Sequence, residues 1–154
     1  MNNNKFFLSN FGSTFSGRYS YIYIIYSRLY NLAYVGETNE KRGVIGRFTN
    51  HITTNEGTFR RYFEEYTGLS IDSLSDLSIF SYSFSDDLRF LGTEKRFRQA
   101  VEYLVYKQLL STNTVPLTVI GITKYNDSCL DRDIRYISEL IVSKFVEAYK
   151  EKSY

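Results

Sequence analysis

The chain has 154 residues, 43% of them hydrophobic and 18% aromatic, which fits one packed domain and excludes a disordered or collagen-like chain. A formal charge of +2 permits a nucleic-acid partner without arguing for one. One cysteine and one histidine exclude an intramolecular disulfide, a protein-built zinc site and any mechanism needing two histidines.

Residues 1–17 are polar, carry Gly12 and Gly17, and show no steady period, so they read as an N-terminal arm laid over the domain. Tyr19 to Tyr26 and Leu32 to Gly36 are rich in aromatic and β-branched residues, with Ser27 to Asn31 as the turn between them. A β-hairpin follows. Symmetric pairing sets Tyr23 opposite Tyr34, Ile22 opposite Val35, Ile24 opposite Ala33 and Tyr21 opposite Gly36. Because side chains alternate along a strand, Ile22, Ile24, Ala33 and Val35 then form an apolar face that seeks the core. Tyr21, Tyr23 and Tyr34 share the other face, where Gly36 leaves open space for a ligand.

Val44, Ile45, Phe48 and Ile52 have helical spacing, which sets Arg47 and His51 one turn apart on an adjoining face. Phe59 to Tyr66 reads as a second helix ending near Gly68, Ser70 to Ser75 as a loop, and Leu77 to Phe84 as a third strand, buried on both faces or bulged. Thr93 is a reasonable N-cap for a helix reaching about Leu110, with Phe97, Val101, Leu104, Val105 and Leu109 buried and Glu102 at the margin of the stripe. Val115 to Ile122 is a loop or edge strand. Leu130, Ile134, Ile137, Ile141, Phe145 and Ala148 recur at helical spacing in a C-terminal helix that docks on the core or on another subunit. The carboxylates Asp86, Asp87, Asp131 and Asp133 read as turn or N-cap residues. The expected fold is mixed α/β (α+β): a small, mainly antiparallel three-stranded sheet beginning with the hairpin, flanked by helices. Residues 18–128 form its core and 129–154 the added C-terminal helix.

A phenol pair, a guanidinium, an imidazole and a later carboxylate are the groups needed to hydrolyse a phosphodiester on a metal ion. Local charge agrees, since Lys41, Arg42, Arg47, Arg60 and Arg61 outnumber Glu37, Glu40 and Glu56, and a second basic cluster gathers Arg89, Lys95, Arg96 and Arg98. Each residue alone has a plainer reading, as a strand tyrosine, a solvated arginine or a surface glutamate. Their order and spacing together favour catalysis.

On these residues the chain resembles the GIY-YIG nuclease family. Tyr21-Ile22-Tyr23 matches the last two residues of the first motif, with Tyr21 in place of its glycine, and Tyr34-Val35-Gly36 matches the second with a conservative change. Arg47 and His51 stand four residues apart, as the family's arginine and histidine do on its first helix, and Glu102 stands for its later glutamate. The family's late asparagine falls on Asn113, with Asn126 as runner-up. The resemblance implies a DNA endonuclease in which Tyr23 is the general base, made phenolate by nearby cations, and Tyr34 and His51 place the phenol or water. Arg47 would clamp the scissile phosphate and Glu102 would hold one Mg²⁺, for which Mn²⁺ could substitute.

Lys41, Arg42, Arg60 and Arg61 are the expected DNA contacts, and the enzyme would be cytoplasmic, of restriction, mobile-element or phage type, and without membrane association. A restriction-type enzyme would be a homodimer, with the C-terminal helix as the available interface. The alternative is a catalytically weak nucleic-acid-binding module of the same fold.

Overall fold

The computed structural model describes residues 19–84 and 87–151, so the N-terminal arm and Asp86 lie outside the described residues. Strands β1 (Tyr21–Ser27) and β2 (Leu32–Thr38) form the hairpin. Helices α1 (Gly43–Thr53) and α2 (Thr58–Thr67), strand β3 (Ser78–Ser83), helices α3 (Leu88–Leu91) and α4 (Arg96–Ser111), strand β4 (Thr118–Ile120) and helix α5 (Arg132–Glu151) complete it. Among the described residues the sheet has four strands in the order β3-β1-β2-β4, one more than the sequence predicts. β4 runs parallel to β2 and makes the sheet mixed. No helix among the described residues is long and apolar enough to cross a membrane.

The hairpin register differs from the symmetric expectation by two residues: Tyr23 pairs with Gly36, and Tyr34 with Ile25. The cause is distant in sequence. Asp76 accepts hydrogen bonds from the Ser27 hydroxyl (2.7 Å) and the Leu29 amide (2.8 Å), while Asn31 takes a positive φ of 50°, so the turn closes at residues 28–31 and Tyr26 and Ser27 stay in the strand. An even shift preserves the faces, so the partition of the hairpin survives although the partners change.

Ile22, Ile24, Ala33 and Val35 pack with Val101, Val105, Ile134, Ile141 and Phe145 of α4 and α5. The opposite face is buried too. Tyr21, Tyr23, Ile25, Leu32 and Tyr34 pack with Val44, Phe59 and Phe63 of α1 and α2. β3 pairs with β1 in unbroken register and is partly buried along its length, an edge strand without the bulge.

α4 starts at Arg96, and Thr93 is not its cap. Instead, the carbonyls of Phe90, Gly92 and Glu94 turn toward the Arg98 guanidinium, which holds them with one nitrogen at 2.8, 2.9 and 3.2 Å and so shapes the approach to the helix. α2 ends where expected, at Gly68 in the left-handed region with φ 70°. Asp87 caps α3 and Asp131 caps the start of α5, through bonds to the amides of Arg89 and Asp133. The apolar stripe of α5 docks on the core. Leu130 precedes that helix in a 3-10 turn and is exposed, while Ser138 and Tyr149 join the buried stripe.

Candidate functional site

β4 accompanies β2 only from Leu32 to Tyr34, so among the described residues no strand flanks that edge of β2 from Val35 onward. Around this short unpaired stretch, groups from the two sides of the sheet meet. Glu102, from α4 on one side, accepts the Glu37 backbone N–H, and its cleft is shared with Tyr23, Tyr34 and Arg47 from the other side. The cleft holds about 410 Å³ and is closed by the segment from Ile122 to Asn126.

Tyr23 and Tyr34 are 1% and 2% exposed, with ring centroids 6.4 Å apart as diagonal neighbours across the hairpin. The space expected beside Gly36 is filled by the Tyr23 ring itself: a Cβ at Gly36 would overlap the phenol, which is the physical reason for glycine there. The Tyr23 hydroxyl lies 2.8 Å from His51 Nε2, and the His51 ring packs 4.8 Å from that of Tyr34. Arg47, one turn before His51, also hydrogen-bonds the Tyr23 phenol.

Burial dominates the electrostatics. It pushes the Tyr23 phenol far above its ordinary value, with Tyr34 adding to the rise and Arg47 opposing it. Burial, together with Glu102, does the same to Tyr34. Burial and the Arg47 charge lower His51 to about 4, so its imidazole is neutral near pH 7. Glu102 is raised to about 8, first by burial and then by the neighbouring Glu37, against hydrogen bonds from the Thr123 hydroxyl and the Glu37 amide and against the Arg47 charge. Without a metal ion, desolvation outweighs the one guanidinium, and the Tyr23 phenol is neutral and bonded to a neutral imidazole; the phenolate expected from the sequence calls on a metal as well as Arg47.

Among the described residues no group of three or more His, Cys, Asp and Glu side chains could hold a metal ion. Within the cleft the carboxylate that could meet a cation is Glu102, since the neighbouring Glu37 is bound to Arg98. A hard divalent cation there would offset both the burial and the Glu37 charge that raise the Glu102 pKa.

Tyr23, Tyr34, Arg47, His51 and Glu102 thus come together, and Asn113 does not. It is exposed in the loop beyond the end of α4, whereas Asn126 lines the cleft. The Asn126 amide donates to the Arg96 carbonyl (3.0 Å) and accepts from the Ser128 amide (3.0 Å), which anchors the cleft wall.

Of the expected DNA contacts, Lys41 and Arg61 are exposed, and Arg42 is exposed but paired with Glu40 at 2.6 Å. Arg60 is withdrawn from any phosphate. Its side chain is 15% exposed and ties the Ile52 carbonyl, Glu64 and Asp72 together, bracing α1, α2 and the 3-10 turn Ile71–Ser73. The second basic cluster dissolves similarly: Arg98 is wholly buried and bound to Glu37 at 2.7 Å, while Arg89 and Arg96 pair with Asp87 and Glu94.

Sequence reasoning missed Glu37, Gln99 and the wall from Ile122 to Tyr125. The signal for Glu37 was its position one residue past the second tyrosine motif. Compared with protein-family models, with curated proteins and with solved structures, the chain matches none.

Proposed function

We propose that the protein is a metal-dependent endonuclease of the GIY-YIG kind that hydrolyses DNA phosphodiesters. One observation carries the reading: the Tyr23 hydroxyl stands 2.8 Å from a neutral His51 nitrogen, inside a cleft that also presents Arg47 and Glu102. A phenol that cannot ionise freely can still act as a base if it passes its own proton on as it receives one. Tyr23 would accept a proton from the attacking water while its hydroxyl proton moves to His51 Nε2, so that no free phenolate forms. Tyr34 packs against the His51 ring and fixes its orientation.

Arg47 is half-buried and has no carboxylate within ion-pair distance among the described residues, which leaves its guanidinium for the scissile phosphate. Glu102 would hold Mg²⁺ or Mn²⁺, and such an ion supplies charge stabilisation for the phosphoryl and leaving oxygens. Cytoplasmic location and a dimeric, restriction-type assembly belong to the same reading. The stripe of α5 is buried in the core, so a dimer would use another surface.

Plasmid nicking with Mg²⁺ and Mn²⁺ tests the proposal. Wild type is expected to relax supercoiled DNA and Glu102→Gln to leave it intact. Supercoiled plasmid left untouched by wild type in both metals, with DNA binding retained, would overturn the enzyme in favour of a binding module.

A further inference from the structure

The cleft wall opposite Arg47 alternates between anchored and presented residues. Gly121 lets the chain lie against the Tyr106 ring, where a Cβ would come within 2.8 Å of the ring. Thr123 stands between Glu102 and the Gln99 carbonyl (3.3 Å from its hydroxyl), sharing its one proton between them, and Asn126 is tied to the Arg96 carbonyl. Between and beside these anchors Ile122 and Tyr125 remain 57% and 52% exposed, and Lys124 is exposed with them. Their exposure is built in. Tyr125 meets Tyr103 edge to face at 5.8 Å, which sets its ring plane while leaving much of it uncovered.

Charge and cavity together mark the same place. Lys124 in this cleft, and Lys95 in an adjoining cavity of about 320 Å³, make no ion pair among the described residues; Lys41, Arg61 and Lys107 make none either, but they line neither cavity, whereas the neighbouring Arg42, Arg96 and Arg98 are each bound to carboxylates. That second cavity shares Glu37 and Arg47 with the first. The two form one track with a lysine on each side of Arg47.

We infer that the segment Ile122–Tyr125 reads the substrate strand: Tyr125 stacks under a base next to the scissile phosphate, Lys124 holds the adjoining phosphate, and Lys95 receives the strand beyond Arg47. This rests on the nuclease reading and adds a substrate class to it. A base can lie flat on Tyr125 only when it is out of its own helical stack, so the favoured substrate is single-stranded or locally unpaired DNA. An exposed aromatic ring beside a cation is the combination that binds such strands with little dependence on sequence.

The test is binding of the full chain to a single-stranded oligonucleotide carrying 2-aminopurine, and to its fully paired duplex, in EDTA so that no cleavage intervenes. Wild type is expected to bind the single strand at least tenfold more tightly and to change the fluorescence of the 2-aminopurine. Tyr125→Leu should weaken single-strand binding by about 5- to 150-fold, the usual range for one lost stack. Lys124→Gln should lower the salt slope of log K by about 0.7. Lys107→Gln and Tyr136→Leu, exposed elsewhere, should change neither, and all four variants should melt like wild type.

Equal binding of single strand and duplex, or Tyr125→Leu binding within twofold of wild type, would overturn the inference. Because cleavage is read separately with Mg²⁺, the two claims fail distinguishably. An inactive wild type with these binding effects sinks the nuclease and keeps the reading segment, whereas an active wild type without them does the reverse.

Discussion

The two faces of the central hairpin are equally buried and chemically unlike. Ile22, Ile24, Ala33 and Val35 are fully buried against α4 and α5, and Tyr23 and Tyr34 are almost as buried against α1 and α2. Burial does not distinguish them; what the buried groups require does. A methyl asks only for contact, but a phenol or imidazole taken from water must find a partner at a cost of about 1–3 kcal/mol if it fails. On the first face these four residues are satisfied by packing alone, and Tyr26 beside them is held among the rings of Phe145 and Tyr149. The second resolves into the linked set of Tyr23, His51 and Arg47, which opens to a cleft beside β2.

The largest expected effects separate the faces. Tyr23→Phe should reduce cleavage by about 10²–10⁴-fold, the usual contribution of general acid-base catalysis, while unfolding free energy in urea falls by no more than about 3 kcal/mol. Phe145→Ala on the apolar side should do the opposite. Its ring meets Tyr26 at 5.3 Å and Phe80 at 5.6 Å, so truncation should cost about 3–5 kcal/mol in urea unfolding and leave kcat of the folded fraction unchanged. Comparable stability losses from the two substitutions would erase the distinction.

Gly36→Ala sharpens it within one strand. The added Cβ overlaps the Tyr23 phenol, and moving that ring should cost about 1–3 kcal/mol and more activity than stability, read as a fall in kcat with KM nearly constant.

The last expected effect, read as a shift in melting temperature alone, is a pH dependence of the metal-free protein. Glu102 titrates at about 8 when folded against 4.5 ordinarily, so the folded state holds the extra proton between those values and loses stability as pH rises through 8. A tenfold difference in proton affinity between the folded and unfolded chain corresponds to about 1.4 kcal/mol. Glu102→Gln lacks this loss, so its melting temperature should gain on wild type from pH 5 to pH 9 by at least about 2–4 °C. His51 acts in the other direction: with its folded value depressed to about 4, its contribution is present above pH 6.5 and fades as pH falls toward 4. A melting-temperature difference between Glu102→Gln and wild type that stays constant with pH would deny the carboxyl its buried setting.

The local pattern of the chain by itself determined a great deal. Alternation in Tyr21 to Tyr26 and Leu32 to Gly36 sorted the hairpin into an apolar and a tyrosine face, and the error of two in register left that sorting intact because strand periodicity is two. Helical spacing likewise brought Arg47 beside His51, and the stripe from Ile134 to Phe145 onto the core. Only the tertiary structure decided which polar groups serve the fold. Arg60 and Arg98 look like phosphate contacts in a linear count, but they bind partners set by the packing of other elements, as the Arg98 pairing with Glu37 shows. Asp76 sets the turn, and Asn126 rather than Asn113 reaches the cleft, for the same reason. The protonation of the site was hidden too. Tyr23, His51 and Glu102 owe their altered proton affinities to desolvation, which depends on everything packed around them and leaves no signature in the order of residues.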